Sequence, residues 1–201
     1  MSTALEVGRL DGEFEDHIDR IVARLSIPVA TERPSFLKRL FNTRQRPWAN
    51  APQSVAVIPM LNTPSIAAFN RFVAGLEGLT DEDAMDRTAY VNLPWWLASV
   101  WLPTDFKPPR ELGSDDGDPV FVGSCPALLH ELHEIKAKSP FVIGDAPAGY
   151  RIMNPKEYGQ WLLSVSSEPL SNEDTIRWIW RALHDGSQLA IQNNAPMTAF
   201  Q

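Results

Sequence analysis

Cysteine is nearly absent from this 201-residue chain, and the one present, Cys125, excludes an intramolecular disulfide and any zinc site built from several thiolates. Positive charge is also in deficit. With 18 Lys and Arg against 25 Asp and Glu the net charge is −7, so a nucleic acid, which needs a basic face, is not the expected partner. Long apolar runs are missing too: the most apolar stretch, Val91 to Leu102, is about 12 residues long and holds Pro94, whereas a membrane-spanning helix needs about 20. The first residues are acidic where an export signal would be basic and then apolar. No membrane span and no cleaved signal are expected, and with one unpaired thiol the expected compartment is the cytoplasm.

Several motifs are approached but not met. HELHE (His130 to Glu134) places its second histidine at i+3, so it is not the HExxH of zinc peptidases. In the acidic loop Gly113–Asp118 the carboxylates of Asp115 and Asp116 are adjacent, which fails the alternate spacing of a calcium loop and reads as a solvated turn. Gly144–Gly149 (GDAPAG) lacks both the GK[ST] of a phosphate loop and the three-glycine spacing of a dinucleotide fingerprint. Accordingly no metal site and no cofactor are expected.

What is present describes a folded chain, 44% hydrophobic and 21% charged. Phe14, Ile18, Ile21, Val22 and Leu25 recur at helical spacing and predict an amphipathic helix over Asp11–Leu25. Between Thr31 and Asn50 five basic residues face one acid, so this arm carries +4 and the rest of the chain −11 of the total −7. Residues 1–50 are therefore expected to form a helix and basic arm packing on a single domain over 51–201. Within that domain Ser54–Ile58, Pro119–Val122 and Pro140–Ile143 read as strands. Helices are predicted after Asn62 or Thr63, after Thr80, from the Gly123–Pro126 turn to near Lys138, over Pro155–Val165, and from Ser171/Asn172 to a stop at Gly186. The tail after Gln188 shows no clear period. This alternation gives an α/β or α+β fold, a small mixed sheet of about three to five strands packed with amphipathic helices.

Two stretches carry candidate chemistry. Gly123-Ser-Cys-Pro126 puts Ser124 and Cys125 at a strand-to-helix turn, where helix N–H groups favour a thiolate and could receive an oxyanion. The competing reading is a plain helix cap with Pro126 in the first turn. In the last helix Ile176, Ile179, Trp180 and Leu183 form the core stripe, which leaves Trp178 on the polar side between Asp174 and Arg181. Trp and Arg are enriched at binding hot spots, so Arg177, Trp178 and Arg181 form one candidate partner surface, and Lys38 and Arg39 of the basic arm another. Cover of Trp178 by another part of the chain is the alternative.

The function expected from this reading is that of a protein-interaction protein, an adaptor, chaperone or immunity-type binder, that contacts another protein or a second copy of itself. The alternative is a small-molecule hydrolase or transferase using Cys125 or Ser124, its ligand near Gly123–Pro126 and Gly144–Gly149 and its base supplied from the GDAPAG side.

Overall fold

The computed structural model describes residues 2–8, 51–94, 99–106, 109–114, 117–164 and 170–200. The elements run β1 (Ser2–Val7), β2 (Ala56–Asn62), α1 (Thr63–Leu76), α2 (Asp81–Arg87), β3 (Ser99–Leu102), β4 (Arg110–Ser114), β5 (Gly117–Ser124), α3 (Cys125–Lys138), α4 (Pro155–Ser164), α5 (Asn172–Asn193) and β6 (Met197–Phe200). Among the described residues six strands form one mixed sheet in the order β2-β1-β6-β3-β5-β4. Among the described strands β3 and β5 pair in parallel and the other neighbouring pairs are antiparallel. The fold is therefore an α+β arrangement with a largely antiparallel sheet rather than a series of βαβ crossovers.

Strand alternation divides the apolar residues between two faces. Leu5, Val7, Ile58, Met60, Trp101 and Met197 point to one face and share a core with Phe69 and Val73 of α1, Leu128 and Leu132 of α3, and Ile179 and Leu183 of α5. Ala4 and Val57 point to the other, where Tyr158 and Trp161 of α4 cover them together with Met153. The outer edge of β2 is closed to further pairing. Val57 exchanges backbone hydrogen bonds with Met153 (2.7 and 3.0 Å), and the next outward residue is Pro59, which has no N–H to offer.

Helix starts fall where the sequence places them. Asn62 accepts from the Ser65 N–H at 3.0 Å, Thr80 caps α2, Ser124 caps α3, and Ser171 and Asp174 bond reciprocally at the start of α5. Two expectations are corrected. Pro140–Ile143 is not a strand but an irregular segment lying against α5. Gly186 does not end the last helix; α5 continues to Asn193 and stops at Asn194, whose backbone is left-handed at φ 47°. A Cβ on Gly186 would stand 2.6 Å from Met197 Sδ and 3.3 Å from Leu5 Cδ1, so this glycine lets the helix cross close to β1 and β6. Residues 197–200 of the tail, for which docking as a strand is one of the two readings the sequence allows, form β6, an interior strand beside β1. Residues 2–7 thus belong to the same sheet as the domain expected to begin at 51. The helix over Asp11–Leu25 and the arm over Thr31–Asn50 lie outside the described residues.

Candidate functional site

The Gly123–Pro126 turn holds a structural cap. Ser124 is fully buried, its hydroxyl accepts from the Ala127 N–H at 3.2 Å, and its own N–H donates to Asn92 Oδ1 at 3.1 Å. Cys125 lies in the main core, and burial pushes its thiol well above the ordinary value, the opposite of an activated nucleophile. The base imagined from the GDAPAG side is also misplaced. Gly144 packs against Lys136, eleven residues into α3, about 16 Å along the helix axis from Cys125 at 1.5 Å per residue. Gly144 therefore lies well along α3 from this turn, where Ser124 and Cys125 are both fully buried.

A polar cluster that the sequence did not reveal lies behind the cap. Glu131, on the inner side of α3, accepts from both the backbone N–H (2.9 Å) and the side-chain amide (2.7 Å) of Asn92. Asn92, itself fully buried, accepts in turn from the Trp101 indole at its carbonyl (2.7 Å) and from Ser124 at its side-chain oxygen. Gly123 permits this, because a Cβ there would stand 2.6 Å from the Trp101 ring. Every group of Asn92 is paired, which makes the cluster a brace between the 90–94 segment, β3 and the start of α3 rather than a reactive site.

The candidate partner surface on α5 is mostly turned inward. Trp178 is 4% exposed, donates its indole N–H to Pro59 O at 2.7 Å and meets the Tyr150 ring edge to face at 5.5 Å. Of the two readings of this side chain, cover by the chain itself holds: β2 and the segment ending at Tyr150 enclose it, and its place in a partner surface falls away. Arg177 donates to Val142 O (3.0 Å), Asp174 and Glu173, with its guanidinium over Phe141. Arg181 donates to Gly144 O (2.9 Å) and Asp185 (2.8 Å). These arginines donate to the carbonyls of Val142 and Gly144, and so fix residues 142–144 to the helix. Lys38 and Arg39 lie outside the described residues.

Asp185 is the hub of this side. Its Oδ2 accepts from Arg181 and from the Tyr150 hydroxyl (3.0 Å), and its Oδ1 lies 3.1 Å from His184 Nδ1. Burial alone would raise its carboxyl, but hydrogen bonds from His184, Arg181 and Tyr150 and the Arg181 charge outweigh it and hold the group below its ordinary 3.8. Burial, with the Asp185 charge, pushes the Tyr150 phenol up, so it remains a donor. A lowered folded-state value means stability that is present above pH 3.8 and lost as pH falls through the folded value. Asp185→Asn is therefore expected to cost about 1–3 kcal/mol at neutral pH. In acid the two proteins should converge, and urea unfolding followed across pH 2–7 checks this.

His130, His133 and Glu134 face outward as the helical wheel predicts, and His130 lies 3.4 Å from Glu134. The His133 ring approaches His184 of α5, with centroids 5.7 Å apart. Desolvation, then the charges of His184, Lys136 and His130, lower the His133 ring below its ordinary value. Among the described residues no group of three or more His, Cys, Asp or Glu side chains is arranged to hold a metal ion, and no helix is long and apolar enough to cross a membrane. Scans against protein-family models, curated proteins and solved structures find no match to this chain.

Proposed function

We propose that this chain is a cytoplasmic protein-binding protein whose partner docks on the outer side of α4. The observation that supports the reading is the exposure of Leu163, 92%, on a helix already anchored by its other side. At about 100° per residue Leu163 points nearly opposite to the mean direction of buried Tyr158 and half-buried Trp161. Leu162 and Ile152 add aliphatic surface at 42% and 44% exposure. Single exposed aliphatics are ordinary on protein surfaces, but three exposed within twelve residues of chain, with exposed Arg151, Lys156 and Gln160 interspersed in the same stretch, have the mixed composition of a contact surface. The function expected from the sequence is kept, and its contact moves from α5 to α4. Lys38 and Arg39, on the +4 arm, would add attraction for an acidic surface of a partner or a second copy.

A photo-cross-linking residue placed at 163, with exposed Ala137 on α3 as the control position, tests the proposal in cells. The expected result is one stoichiometric adduct from position 163, absent from 137 and lost in the Leu162→Ser background. Leu163→Ser itself should change stability by no more than about 0.5 kcal/mol while weakening the purified complex at least tenfold. The same adducts from both positions, or none from 163, would overturn the proposal.

A further inference from the structure

We propose that His133 and His184 form a two-imidazole site for a borderline divalent transition metal, of the class of Zn2+, Ni2+ or Cu2+, where α3 meets α5. This is independent of the α4 surface. The chain has four histidines, and the fold brings these two together from different helices with ring centroids 5.7 Å apart and planes inclined by 55°. Two imidazoles sharing an ion at metal–nitrogen distances of about 2.1 Å and a near-tetrahedral angle have centroids about 5.2 Å apart. The observed 5.7 Å is close to this value.

The surroundings of His184 suit a ligand. Asp185 Oδ1 stands 3.1 Å from Nδ1, so the proton belongs on Nδ1 and the lone pair on Nε2, and a carboxylate behind a coordinating imidazole orients the ring and raises its basicity. Trp180 stacks on the ring at 4.8 Å and 15°, which fixes its plane. Among the described residues, no hydrogen bond engages His184 Nε2 or either ring nitrogen of His133. His133 is exposed, so an ion can reach it from solvent. The opposing charge is Lys136, whose ammonium sits 5.6 Å from the Trp180 ring centroid. His130, a turn earlier, is engaged with Glu134. With two protein nitrogens, the remaining coordination positions fall to water, which makes the site an open one rather than a closed structural centre.

Calorimetric titration of the metal-free full chain with Ni2+ and with Zn2+ at pH 7.5 tests the proposal. One ion per chain is expected. His133→Gln, at an exposed position that leaves the fold intact, should weaken binding at least tenfold, and His184→Gln should do the same if it folds. Lys136→Gln should tighten binding several-fold, while His130→Gln should leave it unchanged. A rise in melting temperature on adding Zn2+ to the wild type, absent in His133→Gln, gives an independent readout. The proposal fails if no ion binds up to millimolar concentration, if His133→Gln binds as the wild type does, or if His130→Gln loses as much as His133→Gln.

Discussion

Asn92→Ala is expected to destabilise the protein by about 3–5 kcal/mol, because it breaks a buried charged acceptor's hydrogen bond and orphans a buried donor in one step. Removing the side chain takes the 2.7 Å amide bond from Glu131, whose carboxylate keeps the backbone N–H of residue 92. It also leaves the Ser124 N–H, now paired at 3.1 Å, without an acceptor at the very start of α3. Alanine cannot fill the space, and the Trp101 ring beside it is held in part by the same segment. At roughly 2–4 °C per kcal/mol for a chain of this size, the melting temperature should fall by roughly 10 °C. Asn92→Asp tests the cause. It keeps the shape but sets a second carboxylate against Glu131, so it should be at least as damaging at neutral pH and recover in acid, where the two can share a proton. A loss below 1 kcal/mol for Asn92→Ala in urea unfolding would refute the brace.

The same brace uses up the hydrogen-bonding groups of the turn that most resembled an active site. A nucleophile at a helix N-terminus needs its backbone donors free for an oxyanion and its side chain open to substrate. Here the Ser124 N–H is spent on Asn92, the Ala127 N–H is spent on the Ser124 hydroxyl, and the Cys125 thiol is enclosed by the core. The turn has the residue types of a catalytic site, but their hydrogen-bonding capacity is used within the protein.

What was legible in the sequence was local. A helix cap closes a hydrogen bond across three residues, so Asn62, Thr80, Ser124 and Ser171 announce helix starts without knowledge of the rest of the chain. Strands depend on partners far away. β1 and β6 are short and acquire their identity from each other, through pairs such as Leu5 with Ala199 that no local pattern encodes. Conversely, Pro140–Ile143 has the apolar, β-branched look of a strand, yet among the described residues no strand pairs with it; the Val142 oxygen accepts from Arg177, the Phe141 oxygen from the Ser139 hydroxyl, and the neighbouring Gly144 oxygen from Arg181. Glu131 escaped notice because a single acid near a core stripe looks like the edge of a solvated face, and its partner lies 39 residues away. The wheel failed for α5 because it assumes one buried side. This helix is enclosed by the sheet, by α1 and α3, and by the 142–150 segment, so its buried arc is far wider than one stripe.

That wide arc makes Trp178→Ala the other large loss, expected at about 3–5 kcal/mol. The indole is buried between β2 and Tyr150, so truncation opens a cavity where two elements from distant parts of the chain converge. It also leaves Pro59 O, on the closed edge of β2, without its 2.7 Å donor. Trp178→Phe keeps most of the apolar surface and loses only the N–H, so it should cost about 1–2 kcal/mol and thereby separate packing from hydrogen bonding. Beyond the lowered melting temperature, the alanine variant should expose the chain around Tyr150 to limited proteolysis, since one of the contacts holding that segment has gone while the Asp185 bond remains. Cross-linking from position 163 should persist in folded Trp178→Phe. If instead Trp178→Ala left stability unchanged and abolished partner capture, the indole would be a contact residue, and the binding surface would return from α4 to α5.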